Sequence, residues 1–473
     1  MNKPLSAVLA FLLAAAPAGA VEWQAVGARA VGMGGAGVAM AQGPLASYWN
    51  PAALGRATEN SYGLAIPVGV HAALTGPVLA GANDLQHVKD ACQAGNLTAC
   101  TKANLDAAIG ELSDPTNGLR INANGGGDFK VGKFAFFANG FADLGAIPQT
   151  DTVHVDTNPV TNPATFIDKN TSALIVKGAL IKEFGAGYGH ELPFAPGVFL
   201  GGSLKLMSAQ VGYVNYAVIS NTNNQNDIAS KLKNGAKTSS NFGVDLGALW
   251  DVDRTFEGAW WRPRVGLVGR NLNNPKFSQP ATAVADGVTG KYAVNPQVRL
   301  GGAISPFNWW HIASDIDLTQ NLTPVGGVAS RQFGVGTEVD VFNRTWINIP
   351  LRFGIARNLA NTGSGTMLTG GAGINLLHLI IDASAQVSPQ RVQTQSQGKD
   401  SKVPKEFGAA VQISILFGGS DDHESRMHHD EAPAPAAAPA PSGKDLPPAQ
   451  ADQVKKDADK AQQDLDKESA KPQ

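Results

Sequence analysis

Short stretches in which apolar and polar residues alternate recur from about Ser61 to Phe417. Alternation with a period of two marks a strand with one dry face and one wet face. The last stretch is the cleanest: Phe407, Ala409, Val411, Ile413, Ile415 and Phe417 share one face, and Gly408, Ala410, Gln412 and Ser414 the other. Elsewhere the polar face carries charge. Phe333, Val335, Val339 and Val341 alternate with Gln332, Glu338 and Asp340, and Trp310, Ile312, Ile316 and Leu318 with His311, Asp315 and Asp317. Val298, Leu300 and Ile304 oppose Gln297 and Arg299, and Phe242, Val244, Leu246 and Trp250 oppose Asp245. In order, the pattern predicts strands near 61–75, 119–131, 133–146, 173–188, 197–213, 238–250, 262–273, 295–305, 310–320, 331–342, 349–359, 366–377, 378–388 and 405–417. That is about fourteen, an even number of the kind bacterial outer-membrane barrels use.

Connection lengths separate a barrel from a soluble sandwich. After odd-numbered strands they are often long and polar, as at 76–118, 147–172 and 214–237. After even-numbered ones they are short, as at Val131-Gly132-Lys133 and Leu377-His378. Long loops outside and short turns on the periplasmic side predict an all-β fold, an antiparallel transmembrane β-barrel over residues 57–417.

The ends of the chain add export and a tail. Lys3, the apolar run Leu5 to Ala16 and the small-residue site Ala18-Gly19-Ala20 read as a cleaved signal peptide over residues 1–20. The run is too short to span a bilayer, which takes roughly 20 residues. After Phe417 the composition shifts: 432–441 alternates Ala and Pro, and 448–470 is rich in Ala, Lys, Asp and Gln. Residues 418–473 are therefore expected to be a disordered periplasmic tail able to meet a periplasmic or cell-wall partner. Charged residues are only 16% of the chain and glycines number 54. A low charge content with no later long apolar run suits a sheet whose apolar residues are spread in alternation. With a net charge of -2, nothing points to nucleic acid. The only cysteines, Cys92 and Cys100, read as a small disulfide loop in an oxidising compartment.

Ahead of the first strand, residues 21–56 form a Gly/Ala-rich segment that reads GARAVGMGGAGVAMAQGPLASYWNPAAL from Gly27 to Leu54. This resembles the N-terminal signature of the long-chain fatty acid and toluene transporter (FadL-like) superfamily of outer-membrane channels. The resemblance implies a fourteen-stranded barrel with an inward-folded hatch, and passive uptake of small hydrophobic molecules. Closer still, Asn122-Ala123-Asn124-Gly125-Gly126-Gly127, Val131 to Phe137 and Ala138-Asn139-Gly140 resemble the conjugal-transfer TraF-type barrel family. The residues make physical sense as a hatch: Gly32, Gly34, Gly35 and Gly37 admit close backbone approach and positive φ, and Asn50, Pro51 and Ala52 form a turn. With few bulky groups, such a segment fills a barrel and still moves.

Other chemistry is weaker. Gly32 to Gly37 also matches G-x-G-x-x-G, but no strand precedes it and no βαβ unit follows, so no nucleotide cofactor is expected. His423, His428, His429, Asp430 and Glu431 could ligate a metal, although flexible His/acid clusters are more often solvated, and no metal is expected. His154 and His190 are catalytic candidates by elimination only, without a surrounding signature, and no enzyme is expected. Ten charges are expected to line the lumen: Lys205, Asp245, Arg264, Arg270, Arg299, Asp315, Asp317, Glu338, Asp340 and Arg352. They read either as an ion-pair network holding wall and hatch together or as a selectivity-tuning conduit. Two functions stay open: a hatch-gated channel for hydrophobic solutes, and an outer-membrane scaffold docked to a secretion or conjugation apparatus through its tail.

Overall fold

The computed structural model describes residues 21–56, 62–96, 98–114, 117–152, 170–217, 226–324, 328–344, 346–361, 363–396 and 399–417. The expected signal peptide, the tail with its histidine cluster, and His154 lie outside the described residues. No helix among those described is long and apolar enough to cross a membrane. Fourteen strands close into one antiparallel barrel. They are β1 (Tyr62–Thr75), β2 (Gly118–Val131), β3 (Phe134–Gln149), β4 (Ala173–Glu191), β5 (Val198–Ala217), β6 (Lys237–Asp251), β7 (Arg264–Arg270), β8 (Gln297–Phe307), β9 (Trp310–Asp317), β10 (Gln332–Arg344), β11 (Ile347–Asn358), β12 (Thr366–Leu376), β13 (Leu379–Val387) and β14 (Glu406–Phe417). Each pairs with the next in sequence, and β14 returns onto β1 from Tyr62↔Phe417 to Ala73↔Glu406. Closure leaves no barrel strand with an unpaired edge.

Alternation fixes which side chains face in. On β1, Tyr62, Leu64, Ile66, Val68 and Val70 are exposed while Gly63, Ala65, Pro67 and Gly69 are buried. On β14 the exposed set is Phe407, Ala409, Val411, Ile413, Ile415 and Phe417, as the sequence pattern predicts. The outer wall is thus apolar and the inner wall polar or small, the inverse of a soluble barrel. Two irregularities interrupt the rule. One lies between Ile304 and Phe307; the other, between Asp340 and Phe342, turns Val341 and Phe342 both outward.

The two ends differ. Tight turns at 132–133, 308–309, Trp346 and 377–378 lie at one end, and connections such as 76–117, 271–296 and 388–405 at the other. The long connections are more structured than their polarity suggests. The first holds two helices, α1 (Val78–Gln93) and α2 (Lys102–Leu112), whose Leu85, Val88, Leu105, Ile109 and Leu112 pack together. A disulfide joins Cys92 to Cys100 inside that small core. The 271–296 connection folds inward: Phe277, Tyr292 and Val294 cluster with inward-facing Ala179, Ile181, Met207, Ala209 and Val211. Periodicity did not show this fold-back, because nothing local distinguishes it from a loop standing in water.

Candidate functional site

The lumen is filled by the N-terminal segment. It begins at the long-connection end, where Gln297 Nε2 donates to the Val21 carbonyl at 2.9 Å. It leaves at the short-turn end, where Arg56 pairs with Asp251 at 3.3 Å. Between them lie short helices at Ala28–Gly32 and Ala46–Trp49 and a 3-10 turn at Pro51–Gly55. None is long enough to persist alone, so the wall must hold the segment in shape.

Two strips of wall do this, on nearly opposite sides of the barrel. The first spans β10 to β12. Gly34 has φ +70°, and a Cβ there would lie 2.6 Å from the Ile355 carbonyl oxygen and 2.7 Å from that of Val335. The wall returns the fit with Gly334, Gly336 and Gly354, where a Cβ would collide with the backbone of Met33 or Gly34. Only paired absence of side chains lets hatch backbone lie directly on strand backbone. Thr369 threads between the two surfaces: its hydroxyl donates to the Gly32 carbonyl at 2.9 Å and accepts from the Gly34 amide at 3.0 Å.

The second strip spans β4 to β7 and receives Asn50-Pro51-Ala52. Asn50 Oδ1 accepts from the Ala52 amide at 3.1 Å, and Nδ2 donates to the Ala248 carbonyl at 3.0 Å. One side chain thus caps the 3-10 turn and fastens it to β6. Gly189, Gly201, Gly247 and Gly266 on the wall leave the room: a Cβ on Gly189 would lie 2.5 Å from the Pro51 carbonyl oxygen. Gly35, with φ +81°, and Gly37, packed on Trp49, complete the hatch glycines.

The lumen charges form links between wall and hatch. Arg29 grips Glu338 with two bonds, Nε to Oε2 at 2.9 Å and Nη2 to Oε1 at 2.6 Å. Glu338 also takes Arg352 at 2.5 Å, and Arg352 reaches Asp382 at 2.6 Å. This gives a neutral chain of four groups with its first member on the hatch. Asp315 accepts from the Gly37 and Val38 amides at 2.8 and 3.0 Å, so one carboxylate serves two hatch donors. Asp317 pairs with Arg299 at 2.6 Å. On the opposite wall, Lys205 lies 3.2 Å from Glu183 and 3.0 Å from Asp245, with Arg270 close to both acids. Arg264 approaches Met40 Sδ and Ser305, and Asp340 sits lower on β10 near the short turns.

Contrary to a segment of few bulky groups, the hatch has an aromatic heart. Trp23, Tyr48 and Trp49 pack with ring centroids 5.6 to 6.2 Å apart, and Phe141 of the wall stacks on Tyr48. The Arg270 guanidinium lies 3.9 Å from the Tyr48 ring centre, and that of Arg299 lies 4.5 Å from Trp23. Buried cations over aromatic faces bind more strongly than exposed ones. Burial pushes the Tyr48 phenol above its usual range, and its hydroxyl donates to the Gln24 carbonyl at 2.5 Å.

Residue patterns missed several of these groups. Arg29 had a signal, since it is the only charge between Glu22 and Arg56. Glu183, Asp382 and Arg120, which pairs with Glu22 of the hatch at 2.9 Å, had none beyond lying on inward strand positions. His190, a catalytic candidate by elimination, lies 3.3 Å from Lys133 Nζ and stacks on Tyr188. No group of three or more potential metal ligands occurs among the described residues. Beside the hatch a cavity of about 80 Å³ remains, lined by polar groups such as Glu22, Gln24, His71 and Asn124 and by apolar ones such as Trp23, Val31, Val70 and Met367.

Solved structures with similar barrels include the Ralstonia pickettii toluene transporter TbuX, at 14% identity and TM-score 0.47, covering 83% of this chain and 98% of that one. The P. putida toluene transporter TodX is similar at 12% identity and TM-score 0.45, with 83% and 98% covered. A Pseudomonas aeruginosa FadL homologue is 12% identical with TM-score 0.41, with 85% and 100% covered. No curated protein matches the chain. The model of the family described as "F plasmid transfer operon, TraF, protein" matches residues 47–317, from the YWNPA half of the hatch through β9, more than half of the chain. The chain therefore belongs to that TraF family.

Proposed function

We propose that this protein is an outer-membrane channel, exported by a cleaved signal peptide, in which residues 21–56 are a movable hatch for small hydrophobic molecules. The bilayer reading rests on the wall. The outward residues Phe407 to Phe417 span about 33 Å along β14 at roughly 3.3 Å per residue. Tilted by about 40°, they rise about 25 Å, the height of a lipid-facing barrel band.

The observation that carries the gating reading is how the hatch is held. It is seated by backbone-to-backbone strips, polar links and an apolar, aromatic core shared with the wall, while no covalent bond ties it to the wall beyond the chain itself. The remaining cavity of about 80 Å³ is lined by polar and apolar groups together. An apolar cavity able to hold benzene is about 150 Å³, so passage of even a one-ring solute requires the hatch to shift. No catalytic role enters this reading. Flux of hydrophobic compounds into liposomes, measured for the intact chain and for one lacking residues 21–56, tests it. Faster flux without the hatch is expected; equal flux would refute gating.

A second reading has its own support in the family match, whose description names a plasmid transfer operon. In it the barrel is a scaffold, and residues 418–473 dock a periplasmic or cell-wall partner. Cross-linking from the tail in cells should then capture one partner reproducibly, and solute uptake without any partner would argue against it.

A further inference from the structure

Asp143 on β3 takes no part in the links between wall and hatch. It is 2% exposed, and neither of its carboxylate oxygens has a hydrogen-bond partner among the described residues. An ionised carboxylate buried in this way is strongly disfavoured unless a cation or donors meet it. Something of that kind should therefore sit beside it in the working protein.

The first residues of the hatch surround this position. Asp143 stands opposite Asn122 of β2 and Ala179 of β4. Residues directly opposite in an antiparallel pair have Cα atoms about 4.5–5.5 Å apart. On one side, Asn122 Nδ2 bonds the Glu22 carboxylate. On the other, Ala179 belongs to the apolar cluster on which Val21 packs, together with Phe277, Tyr292 and Val294 of the folded-in connection. One residue earlier on β3, the Ala142 carbonyl accepts from Gln24 Nε2 at 3.1 Å. Residues 21, 22 and 24 thus bracket Asp143.

The charges at this spot do not balance. Glu22 and Asp143 bring two carboxylates, and Arg120 is already held by Glu22 at 2.9 Å. Lys177, one inward step further along β4, makes no hydrogen bond to Asp143. Asp143 is one cation short.

We propose that this cation is the chain's own α-ammonium, created on Val21 when residues 1–20 are removed, so that export processing completes the seating of the hatch. The inference rests on the proposed cleavage after Ala20. Hydrolysis of the Ala20–Val21 peptide bond consumes one water and leaves a carboxylate on Ala20 and an ammonium on Val21. Before cleavage the Val21 nitrogen is an uncharged amide and cannot balance Asp143. Afterwards it offers three N–H donors to two acceptor oxygens, in bonds strengthened by charge on both sides. Val21 is already fixed for this role. Gln297 Nε2 holds its carbonyl at 2.9 Å, and the Phe277, Tyr292 and Val294 cluster holds its side chain.

Intact mass of the exported chain gives its first residue. Acylation of the α-amine by a small activated ester, followed on the N-terminal peptide from about pH 6 to 10, reads the midpoint at which the amine loses its proton. An unpaired α-amine titrates at about 7.7–8.0. The midpoint in the wild-type chain is expected to lie at least about one pH unit above that in Asp143→Asn, because only the carboxylate favours the charged amine. Looser packing alone would change the rate at high pH and leave the midpoint in place. One serine inserted between Ala20 and Val21 keeps Asp143 and moves the ammonium about 3.5 Å along the chain. It should lower the midpoint as Asp143→Asn does, and it decides the matter if Asp143→Asn does not fold. Equal midpoints in the wild-type chain and both variants overturn the inference and leave Asp143 to another cation, such as Lys177. An exported chain that starts anywhere but Val21 overturns the cleavage reading, and this inference with it.

Discussion

If Arg29 latches the hatch, Arg29→Met should open it without unfolding the barrel. The Arg29 side chain is 20% exposed and its partner Glu338 only 6%. A hydrogen bond to a charged group contributes about 1.5–3 kcal/mol. Two such bonds do not add fully here, because Arg29 is partly solvated and Glu338 keeps Arg352 when Arg29 is lost. The loss is therefore about 2–3 kcal/mol for the closed hatch. At 1.4 kcal/mol per tenfold, the open population rises by roughly 30- to 150-fold. Ala36→Cys reports this population, since Ala36 is buried in the hatch against Met33 and Met40 and the chain has no free thiol. Its modification rate by a small thiol reagent should rise by that factor in Arg29→Met, with thermal unfolding of the barrel unchanged. Arg254→Ala, which breaks an exposed pair, should leave the rate alone. Glu338→Gln should raise it further, because Arg29 and Arg352 would then face each other around a neutral group. Arg29→Met combined with Glu338→Gln should cost less than the sum of the two. An increase below about threefold for Arg29→Met would refute the latch, since 1.4 kcal/mol per tenfold makes that under 1 kcal/mol.

Gly34→Ala and Gly336→Ala each put a methyl group between hatch and wall backbone, and both are expected to raise Ala36→Cys labelling at least tenfold; normal labelling would mean that the strip is not tightly seated. Asp315→Ala leaves the Gly37 and Val38 amides without their acceptor, at about 1–3 kcal/mol each, and should expose the hatch to protease between residues 33 and 43. Unchanged proteolysis would show that these two bonds do not hold the hatch. Replacing Cys92 and Cys100 by Ser removes a cross-link across eight residues, about 2.5 kcal/mol by loop entropy, so cleavage within 76–117 should quicken while the barrel persists. Loss of the barrel instead would show that the helical connection is part of its stability.

Much of the wall was legible because a strand reports its surroundings locally. On β14 each side chain states which way it faces, and the tight turns at 132–133 and 377–378 mark where the chain reverses. Glu338 and Asp315 reach hatch groups from such positions on their strands. What alternation cannot express is pairing across the lumen. Arg29 and Glu338 are 309 residues apart, and nothing near either one names the other. The glycines of β4 to β7 and of β10 to β12 look in sequence like ordinary small strand residues. Only the closed barrel shows that they line two facing strips against Asn50-Pro51 and Gly34. The two helices of 76–117 were hidden too, because they bury a core only against each other and carry no strong apolar stripe outward.

The sequence by itself determined the strands, their count, their facing and the identity of the hatch, since each follows from the period of a local pattern or from a contiguous motif. The tertiary structure decided what holds the hatch. Seating it takes glycines, acids and aromatics brought together from nearly every strand, and closing the barrel is what sets those residues opposite one another.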